Sequence, residues 1–596
     1  MRAARDFVTP VQRQWHTIAL DFRGPDAAES GTFNPFTDAR LVVRFNGPKQ
    51  QYVVRGFFAA DGNAAHSGAS AGNVWRVRFA PPTPGNWTYQ ATLEVGPGAA
   101  LSPEFNLARA IEIDDSSGGF RVIATDKAAP DLRNYGLLQA DRGYLSTATG
   151  ALWLKGGTNS PENFLAYADF DGTTARDGLQ REGEAKGSKT LRDFVAHKQD
   201  WRPGDPTWSD PMSTRRRGQG IIGAVNYLAD QGMNSVYFLT MNIGGDGHDV
   251  WPYVTPDDPT RFDVSKLAQW EILFGHMQQR GILLHMVLQE TENERWLDDG
   301  DTGPQRQLYY HELIARFAHH PGLVWNLGEE NGPADFSPMG QSDQQRRAML
   351  EFFARHDPYQ HPAVLHTHAT QDDKEHILEP LIGHPGLSGL SFQVDEPTRV
   401  NEETWHWRTR ASDAGQPWWI SMDEIGPWHT GAAPDSVDKD HHELRRHALW
   451  GSLLGGAGGV EWYFGAHQPR NDLTADNWRD YAGLWRQSAI ALDFLEPLDL
   501  RQFVPCNERA GDRSYCFGQS GDTYVLYSYN RAPSTFDLTG LRGTYRVEWF
   551  NPTEGGVRQS GSVAQVLGGA RRDLGKPPGN RDTDWVIILT LRNRAM

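Results

Sequence analysis

The hydrophobic pattern divides the chain into three parts, and the first and last parts alternate in the manner of antiparallel strands. In the first part, residues 41–45, 51–58, 74–79 and 86–95 alternate apolar with polar positions between Asn-Gly, Pro-Pro and Pro-Gly turns. The same pattern returns after residue 498 in DTYVLYSYN, GTYRVEWFN and DWVIILTL. We therefore predict an N-terminal β-sandwich over residues 1–115 and a C-terminal β-sandwich over residues 498–596.

The middle part, residues 116–497, alternates short apolar runs with amphipathic stretches such as 264–280, 307–319 and 344–355, which is typical of parallel βα units. Eight such repeats predict an α/β fold, a (β/α)8 TIM barrel. The alternative, a doubly wound open sheet, is disfavoured because no glycine-rich phosphate motif is present. The predicted strands are residues 151–156, 234–240, 282–289, 323–330, 363–368, 387–394, 418–424 and 459–465.

The segment between the first two predicted strands, residues 157–217, is far longer than an ordinary βα loop. It carries Trp201, Trp208 and several Asp-Pro and Pro-Gly turns. Loops of this length inside a compact domain are usually functional. We expect this segment to form a wall of the site at the C-terminal face of the barrel.

Charge and composition narrow the classes of partner. The chain has 58 Lys and Arg against 75 Asp and Glu, a net charge of −17, and no long basic run, which argues against nucleic acid or an anionic membrane surface as a partner. No apolar run approaches the length of a transmembrane helix. The 21 Trp residues suit a protein that stacks against sugars, although most Trp side chains in any protein belong to the core.

Two cysteines exclude a disulfide scaffold and a cysteine-rich metal site. Cys506 and Cys516 lie ten residues apart in a β-rich stretch, where they are either bridged or two free buried thiols. A periplasmic or secreted location is suspected, but the first 20 residues contain no apolar signal-peptide segment, so a cytoplasmic location stays open.

Catalytic groups of such barrels project from the C-terminal ends of the strands. The fourth predicted strand ends in Glu329 and Glu330, and the seventh ends in Asp423 and Glu424. Period-two alternation places Glu329 on the face toward the outer helices and Glu330 on the face toward the barrel interior. On the seventh strand the alternation does not distinguish the two faces.

Two opposed carboxyl groups are what cleavage of a glycosidic bond requires. One donates a proton to the leaving oxygen, and the other attacks the anomeric carbon or activates a water molecule, depending on their separation. The alternative for each glutamate is a helix cap or a surface ion pair. Because Glu330 and Glu424 end two strands of the same predicted barrel, the catalytic interpretation is favoured.

The two strand ends resemble clan A of the retaining glycoside hydrolases. Residues 325–330 (WNLGEE) resemble the W-x-x-x-N-E signature of that clan, and residues 422–426 (MDEIG) resemble its nucleophile strand. The resemblance implies that Glu330 is the acid/base and Glu424 the nucleophile. Where the clan has Asn before the acid/base, this chain has Glu329, so the usual contact of that Asn with a sugar hydroxyl is in doubt.

The whole architecture resembles bacterial apiosidase-like proteins. These carry an uncharacterised β-sandwich before the barrel, matched here by FNPFTDARLVVRF and PGNWTYQATL, and a module named as collagen-binding after it, matched by YRVEWFNPTEGG. The resemblance implies a carbohydrate substrate and leaves the sugar and linkage open. Nothing in the residues themselves supports collagen as a partner.

Polar and aromatic residues at the other strand ends suit sugar hydroxyls and apolar sugar faces. Trp462 resembles the Trp on strand eight that floors the subsite of the cleaved sugar in clan A. Asp246 and Glu290 belong to the same strand ends. The predicted substrate-binding residues are Asn159, Asn242, His248, Trp251, Gln289, Glu329, His366, His368, Gln393 and Trp462.

Metal-based and non-catalytic alternatives remain at this point. His366 and His368 share a strand face and could hold a divalent ion, and the turn at residues 246–249 could hold a structural calcium. No HExxH motif is present, and we expect neither a catalytic metal nor a cofactor. The rival functions are a metal-dependent hydrolase, which a chelator would reveal, and a non-catalytic carbohydrate-binding protein. The sequence does not decide the oligomeric state.

Overall fold

A computed structural model describes residues 10–101, 108–176, 191–210, 214–531, 534–580 and 583–592. Its N-terminal part is the predicted β-sandwich. In strand Ala39–Asn46, Leu41, Val43 and Phe45 are buried in alternation, and Phe45 stacks on Phe79 of the facing sheet with ring centroids 4.2 Å apart. Strand Ser117–Ile123 also belongs to this sandwich, so the sheet continues past the predicted boundary at residue 115.

The sandwich strands pair in two sheets. The first has the order Val11–Arg13, Ser117–Ile123, Gly85–Val95, Ala39–Asn46, Gln51–Arg55, with Arg109–Ile111 also paired to Gly85–Val95. The second has the order Ile18–Ala28, Ala71–Phe79, Phe57–Phe58.

Eight parallel strands close into a barrel in sequence order, which confirms the predicted α/β fold. We number them one to eight. Their bounds are Lys155–Thr158, Ser235–Leu239, Leu283–Val287, Leu323–Asn326, Ala363–His366, Gly389–Val394, Trp419–Ile425 and Gly459–Trp462.

Helices surround the barrel, and each of the three predicted stretches is helical. Local chemistry marks their starts: the Asp263 side chain accepts a hydrogen bond from the Lys266 amide, and Ser342 forms a capping box with Gln345. The helices of the barrel are Gln219–Asp230, Val264–Gln279, Pro304–Phe317, Asp343–His356, Gln371–Leu378, Val400–Asp413, Leu444–Trp450 continued by Gly451–Leu454, and Ala482–Leu495. Two short helices, Ala64–Ser67 and Leu132–Tyr135, precede them.

A small antiparallel sheet closes the N-terminal end of the barrel. Its strands are Gln139–Asp141, Tyr144–Ser146 and Leu152–Trp153, so the predicted first barrel strand is in fact split between this sheet and strand one. Apolar side chains of this sheet and of the strand starts form one buried cluster: Leu138, Leu145, Trp153, Leu283, Val324, Val364 and Trp419. The barrel interior is therefore filled at this end by packed side chains.

The C-terminal part is a second β domain, as predicted. A six-stranded sheet runs Val504–Pro505, Ser514–Gln519, Thr523–Ser528, Trp585–Arg592, Thr544–Phe550, Gln565–Leu567, beside a ribbon of Thr535–Asp537 with Arg571–Asp573. Cys506 and Cys516 form a disulfide in its core, so of the two alternatives, a bridge or two free thiols, the bridge is present. Asp584 of this domain pairs with Arg445 at 2.9 Å and Arg446 at 3.0 Å, both on a barrel helix.

Glu29 joins the N-terminal sandwich to the barrel. Its Oε1 accepts a 2.7 Å hydrogen bond from the backbone amide of Val264, the first residue of helix Val264–Gln279. The side chain is buried, and this burial, together with the nearby charge of Asp263, raises its pKa to about 7.

None of the helices in the described ranges combines the length and the apolar character needed to cross a lipid bilayer.

The raised pKa of Glu29 predicts a pH-dependent penalty at this interface. At low pH this carboxyl group is protonated in both the folded and the unfolded protein, and it does not affect the free energy of unfolding. Above pH 7 it is ionised in both states, and the cost of its buried charge lowers the free energy of unfolding in full. Glu29→Gln should therefore gain stability relative to the wild type between pH 5 and pH 8, by at most about 3 kcal/mol. Urea denaturation at both pH values measures this gain. Asp26→Asn, an exposed carboxylate in the adjoining strand, is the control, and a difference independent of pH would contradict the assignment.

Candidate active site

The C-terminal ends of the barrel strands surround a cavity of about 570 Å³. Both predicted catalytic residues, Glu330 and Glu424, line it, together with the predicted substrate-binding residues Glu329, His368 and Gln393. The structure thus brings together carboxyl, imidazole and amide groups at the face of the barrel where function is expected.

Strand four places Glu330 in the cavity by leaving the β-ladder. Alternation holds as far as Asn326, whose side-chain amide lies 3.1 Å from His285 Nε2 in the barrel interior. Beyond the strand, Glu330 adopts a positive φ of 39°, a conformation that residues with a Cβ rarely occupy. The prediction that Glu329 packs toward the outer helices is therefore wrong, because the two consecutive glutamates both face the cavity.

Strand seven places Glu424 in the cavity through a register shift. Its pairing with strand six slips between Phe392 and Gln393, which pair with Met422 and Glu424. The skipped residue, Asp423, points into the barrel interior, and Glu424 nevertheless lines the cavity. Such irregularities re-aim side chains next to functional sites.

The Gln393 side chain influences both predicted catalytic groups. Its Nε2 donates a 2.6 Å hydrogen bond to Glu424 Oε1, and its presence lowers the pKa of Glu330. On the other side, His366 Nε2 lies 3.2 Å from Glu424 Oε2, while His366 Nδ1 lies 3.0 Å from Ser391 Oγ. Burial lowers the pKa of His366 to about 4, so this imidazole is neutral near pH 7.

Three carboxyl groups of the cavity hold protons more tightly than free carboxyl groups do. Burial and the charge of Glu424 raise the pKa of Glu330 to about 8, against a smaller lowering by Gln393. Burial and neighbouring carboxylates also raise the pKa values of Glu329 and Glu162 well above the ordinary range. A carboxyl group in this state is available as a proton donor at neutral pH.

Three predicted substrate-binding residues build the loop after strand two and lie outside the described cavity lining. Asn242 is fully buried and accepts hydrogen bonds from the backbone amides of Asp249 and Val250. The Trp251 ring packs against the Lys266 ammonium at 5.6 Å, and His248 is half-buried beside this loop. The Asn242 side chain therefore stabilises the loop through its hydrogen bonds.

Two further predicted residues lie behind the cavity wall. The side-chain amide of Gln289 donates to Gln341 Oε1 at 2.7 Å and accepts a hydrogen bond from Arg306. Asn159 donates to the backbone carbonyl of Asp423 at 3.0 Å and is fully buried. Both residues brace strand ends.

Trp462 does not floor the cavity. Glu461 occupies the interior face of strand eight, so alternation turns Trp462 outward, where its Nε1 donates a 2.9 Å hydrogen bond to Ser488 of helix Ala482–Leu495. Tyr463, the next residue, lines the cavity in its place. The predicted role of Trp462 in substrate binding is therefore corrected.

The long segment after strand one contributes little to the described cavity wall. Of its described residues, Glu162 alone lines the cavity. Trp208 is buried and stacks on Phe170 at 5.2 Å, away from the strand ends. Residues 177–190 and 211–213 of this prediction lie outside the described residues.

A fully buried ionic cluster lies in the barrel interior. The Lys155 ammonium contacts Asp423 Oδ1 at 2.8 Å and Glu461 Oε2 at 2.9 Å. His285 Nδ1 lies 2.7 Å from Glu461 Oε2. These groups come from strands one, seven, eight and three, so the cluster ties half of the barrel strands to one another.

The alternative of a metal ion held by His366 and His368 is not supported by the geometry. His366 turns toward Ser391 and Glu424, whereas His368 Nε2 lies 3.2 Å from the Gly332 carbonyl. Neither histidine belongs to a converging group of three metal-ligating side chains among the described residues. The turn at residues 246–249 contributes no such group either.

Several residues of the cavity wall were absent from the sequence-based site, among them Glu162, Phe336, Trp428 and Tyr463. Phe336 and Trp428 are exposed aromatic side chains in the loops after strands four and seven. Their position immediately downstream of the two catalytic motifs was the signal that could have found them. Tyr463 follows from strict alternation after Glu461, whereas Glu162 has no comparable signal.

Comparison with known proteins supports the architecture. Residues 11–94 match the family model described as "Domain of unknown function (DUF5060)", and residues 502–590 match "Putative collagen-binding domain of a collagenase". Neither match extends into the barrel. No curated protein sequence matches the chain significantly.

Solved structures share the fold over most of the chain. A "putative glycoside hydrolase from Bacteroides vulgatus ATCC 8482" has a TM-score of 0.61 at 15% identity, covering 98% of this chain and 100% of its own. A glycoside hydrolase family 5 protein of the same organism has a TM-score of 0.53 at 14% identity, covering 78% of this chain and 96% of its own. At these sequence identities, the similarity shows a shared fold and nothing finer.

The buried ionic cluster predicts a large loss of stability when its cation is removed. Lys155→Met leaves Asp423 and Glu461 in the barrel interior without their ammonium partner, which should cost about 3–5 kcal/mol. Guanidinium denaturation measures the loss, with Lys439→Met, at an exposed position, as the matched control. Equal denaturation midpoints for the two variants would contradict the structural role of Lys155.

Proposed function

We propose that this protein is a glycoside hydrolase that cleaves a poly- or oligosaccharide with Glu330 and Glu424. The observation that carries the proposal is that Glu330 and Glu424 line one cavity at the C-terminal face of the barrel, where the charge of Glu424 raises the pKa of Glu330. Two carboxyl groups held together over an open cavity are the catalytic requirement for glycosidic cleavage.

The contacts of the two glutamates differ, and this difference assigns their roles. Glu424 accepts the short hydrogen bond from Gln393, which favours its ionised form, and its second oxygen lies near the neutral His366. Glu330 is half-buried, in a backbone conformation that turns it toward the cavity. We assign Glu424 as the nucleophile and Glu330 as the proton donor.

The electrostatic coupling of the two carboxyl groups favours a retaining mechanism. After burial, the charge of Glu424 is the strongest influence on the pKa of Glu330, as expected of two carboxyl groups close to each other. Retaining enzymes hold their carboxyl groups about 5–5.5 Å apart, whereas inverting enzymes need room for a water molecule between them. A close pair fits a double displacement better than a single displacement.

In the first step, a Glu424 oxygen bonds to the anomeric carbon while the glycosidic bond breaks and the Glu330 proton moves to the leaving oxygen. In the second step, water attacks the anomeric carbon, gives a proton to Glu330 and releases Glu424 as a carboxylate. Protons and bonds balance over the two steps.

The cavity wall supports a carbohydrate substrate. Phe336 and Trp428 present exposed rings at its edge, with 60% and 42% of their surfaces accessible, and flat apolar rings suit sugar faces. The similar solved structures carry the name glycoside hydrolase. Membership of the apiosidase-like group stays a prediction.

Replacement of the proton donor should abolish turnover while the fold survives. Glu330→Gln keeps the side-chain shape but removes the proton, so kcat on polysaccharides and unactivated glycosides should fall by at least about 10²-fold. Reducing-end assays and proton NMR over a panel of glycans and aryl glycosides, including furanosides, measure it. Glu351→Gln, at an exposed position of the helix that follows strand four, is the matched control. Equal activity of both variants would refute the role of Glu330.

Replacement of the nucleophile should permit chemical rescue. Glu424→Ala opens space at the anomeric carbon, so added azide should attack there and give a glycosyl azide whose configuration is inverted relative to the substrate. Proton NMR identifies the product, and the anomer first released by the wild type tests retention independently. An initial product of inverted configuration from the wild type would overturn the double displacement.

A further inference from the structure

Three glutamates form a separate cluster within the cavity. Glu162, Glu290 and Glu329 follow strands one, three and four, and one oxygen of each lies within 4.8 Å of the other two. All three side chains are buried, with exposed fractions of 2%, 4% and 7%. Neither proposed catalytic glutamate belongs to this cluster.

The Tyr237 hydroxyl provides an independent observation at the same place. Tyr237 lies on strand two with no exposed surface, and its hydroxyl has no hydrogen-bond partner among the described residues. The charges that act on it most strongly are those of Glu329, Glu162, Glu424 and Glu290. A buried, unpartnered hydroxyl that faces three converging carboxylates marks a position where a ligand completes the contacts.

Glu329 is unsatisfied in the same manner. Its Oε2 is buried and makes no hydrogen bond in the described structure. A buried acceptor oxygen that receives no hydrogen bond is open to a ligand.

We propose that Glu162, Glu290 and Glu329 bind one calcium ion beside the catalytic pair. Carboxylate oxygens are hard ligands, and calcium accepts several of them in flexible geometry, whereas magnesium keeps most of its water and zinc prefers nitrogen and sulfur. The ion joins the ends of strands one, three and four. This site differs from both metal sites that the sequence suggested.

Calcium binding can be measured on the full chain without any glycan. The protein is treated with EDTA, dialysed, and titrated with CaCl2 by isothermal calorimetry, with thermal unfolding followed in parallel. One calcium ion per chain should bind, and the unfolding midpoint should rise with calcium concentration. MgCl2 and ZnCl2 are titrated in the same way and should bind more weakly.

Matched variants locate the ion. Glu329→Gln and Glu162→Gln should each weaken calcium binding by at least about tenfold. Asp335→Asn removes an exposed carboxylate from the wall of the same cavity and should change binding by less than about twofold.

Three results would overturn the proposal. The first is the absence of calcium binding by the wild type, and the second is equal calcium affinity of Glu329→Gln and Asp335→Asn, which would place the ion elsewhere. The third is Glu329-dependent binding of glucosamine without calcium binding, which would assign the carboxylates to an ammonium-bearing sugar. Because no glycan cleavage is measured, each result leaves the proposed hydrolase activity to its own tests.

Discussion

The buried ammonium group of Lys155 fixes the geometry on which the cavity depends. It lies between Asp423 and Glu461 in the barrel interior, and His285 extends the same network. An unpaired charge at this depth would cost several kcal/mol, so strands one, three, seven and eight cannot slide past one another without a large penalty. Because Asp423 immediately precedes Glu424, the anchoring of one side chain also positions the other.

Much of this structure is readable from the sequence because its signals are local. The eight barrel strands are short apolar runs bounded by turns and helices, and each appears in the order predicted. Glu330 and Glu424 could be selected because barrel sites gather at strand ends and the motif around each is distinctive. The β domains at both ends follow from simple alternation of burial, as in strand Ala39–Asn46.

The remainder of the site depends on departures from regular structure that no periodicity encodes. Glu329 and Glu330 both face the cavity because the backbone leaves the ladder after Asn326, and Glu424 does so through slippage against strand six. For Trp462, regular alternation is the better guide. Because Glu461 points into the barrel, alternation turns Trp462 outward, whereas the family resemblance placed it in the cavity. Asn242 and Gln289 are polar residues at strand ends, yet their side chains bind within the protein. Asn242 accepts hydrogen bonds from buried backbone amides that need partners, and Gln289 pairs with Gln341 and Arg306.

The buried apolar cluster at the N-terminal end of the barrel limits the routes by which molecules can reach the cavity. Trp153 and Leu145 of the small sheet pack against the first residues of the strands and close that end. Under the proposed function, a glycan, the water that attacks it and the released sugar would all pass through the opposite end of the barrel, where the described residues form the cavity. Turnover on long chains would then depend on how quickly the released sugar leaves that end.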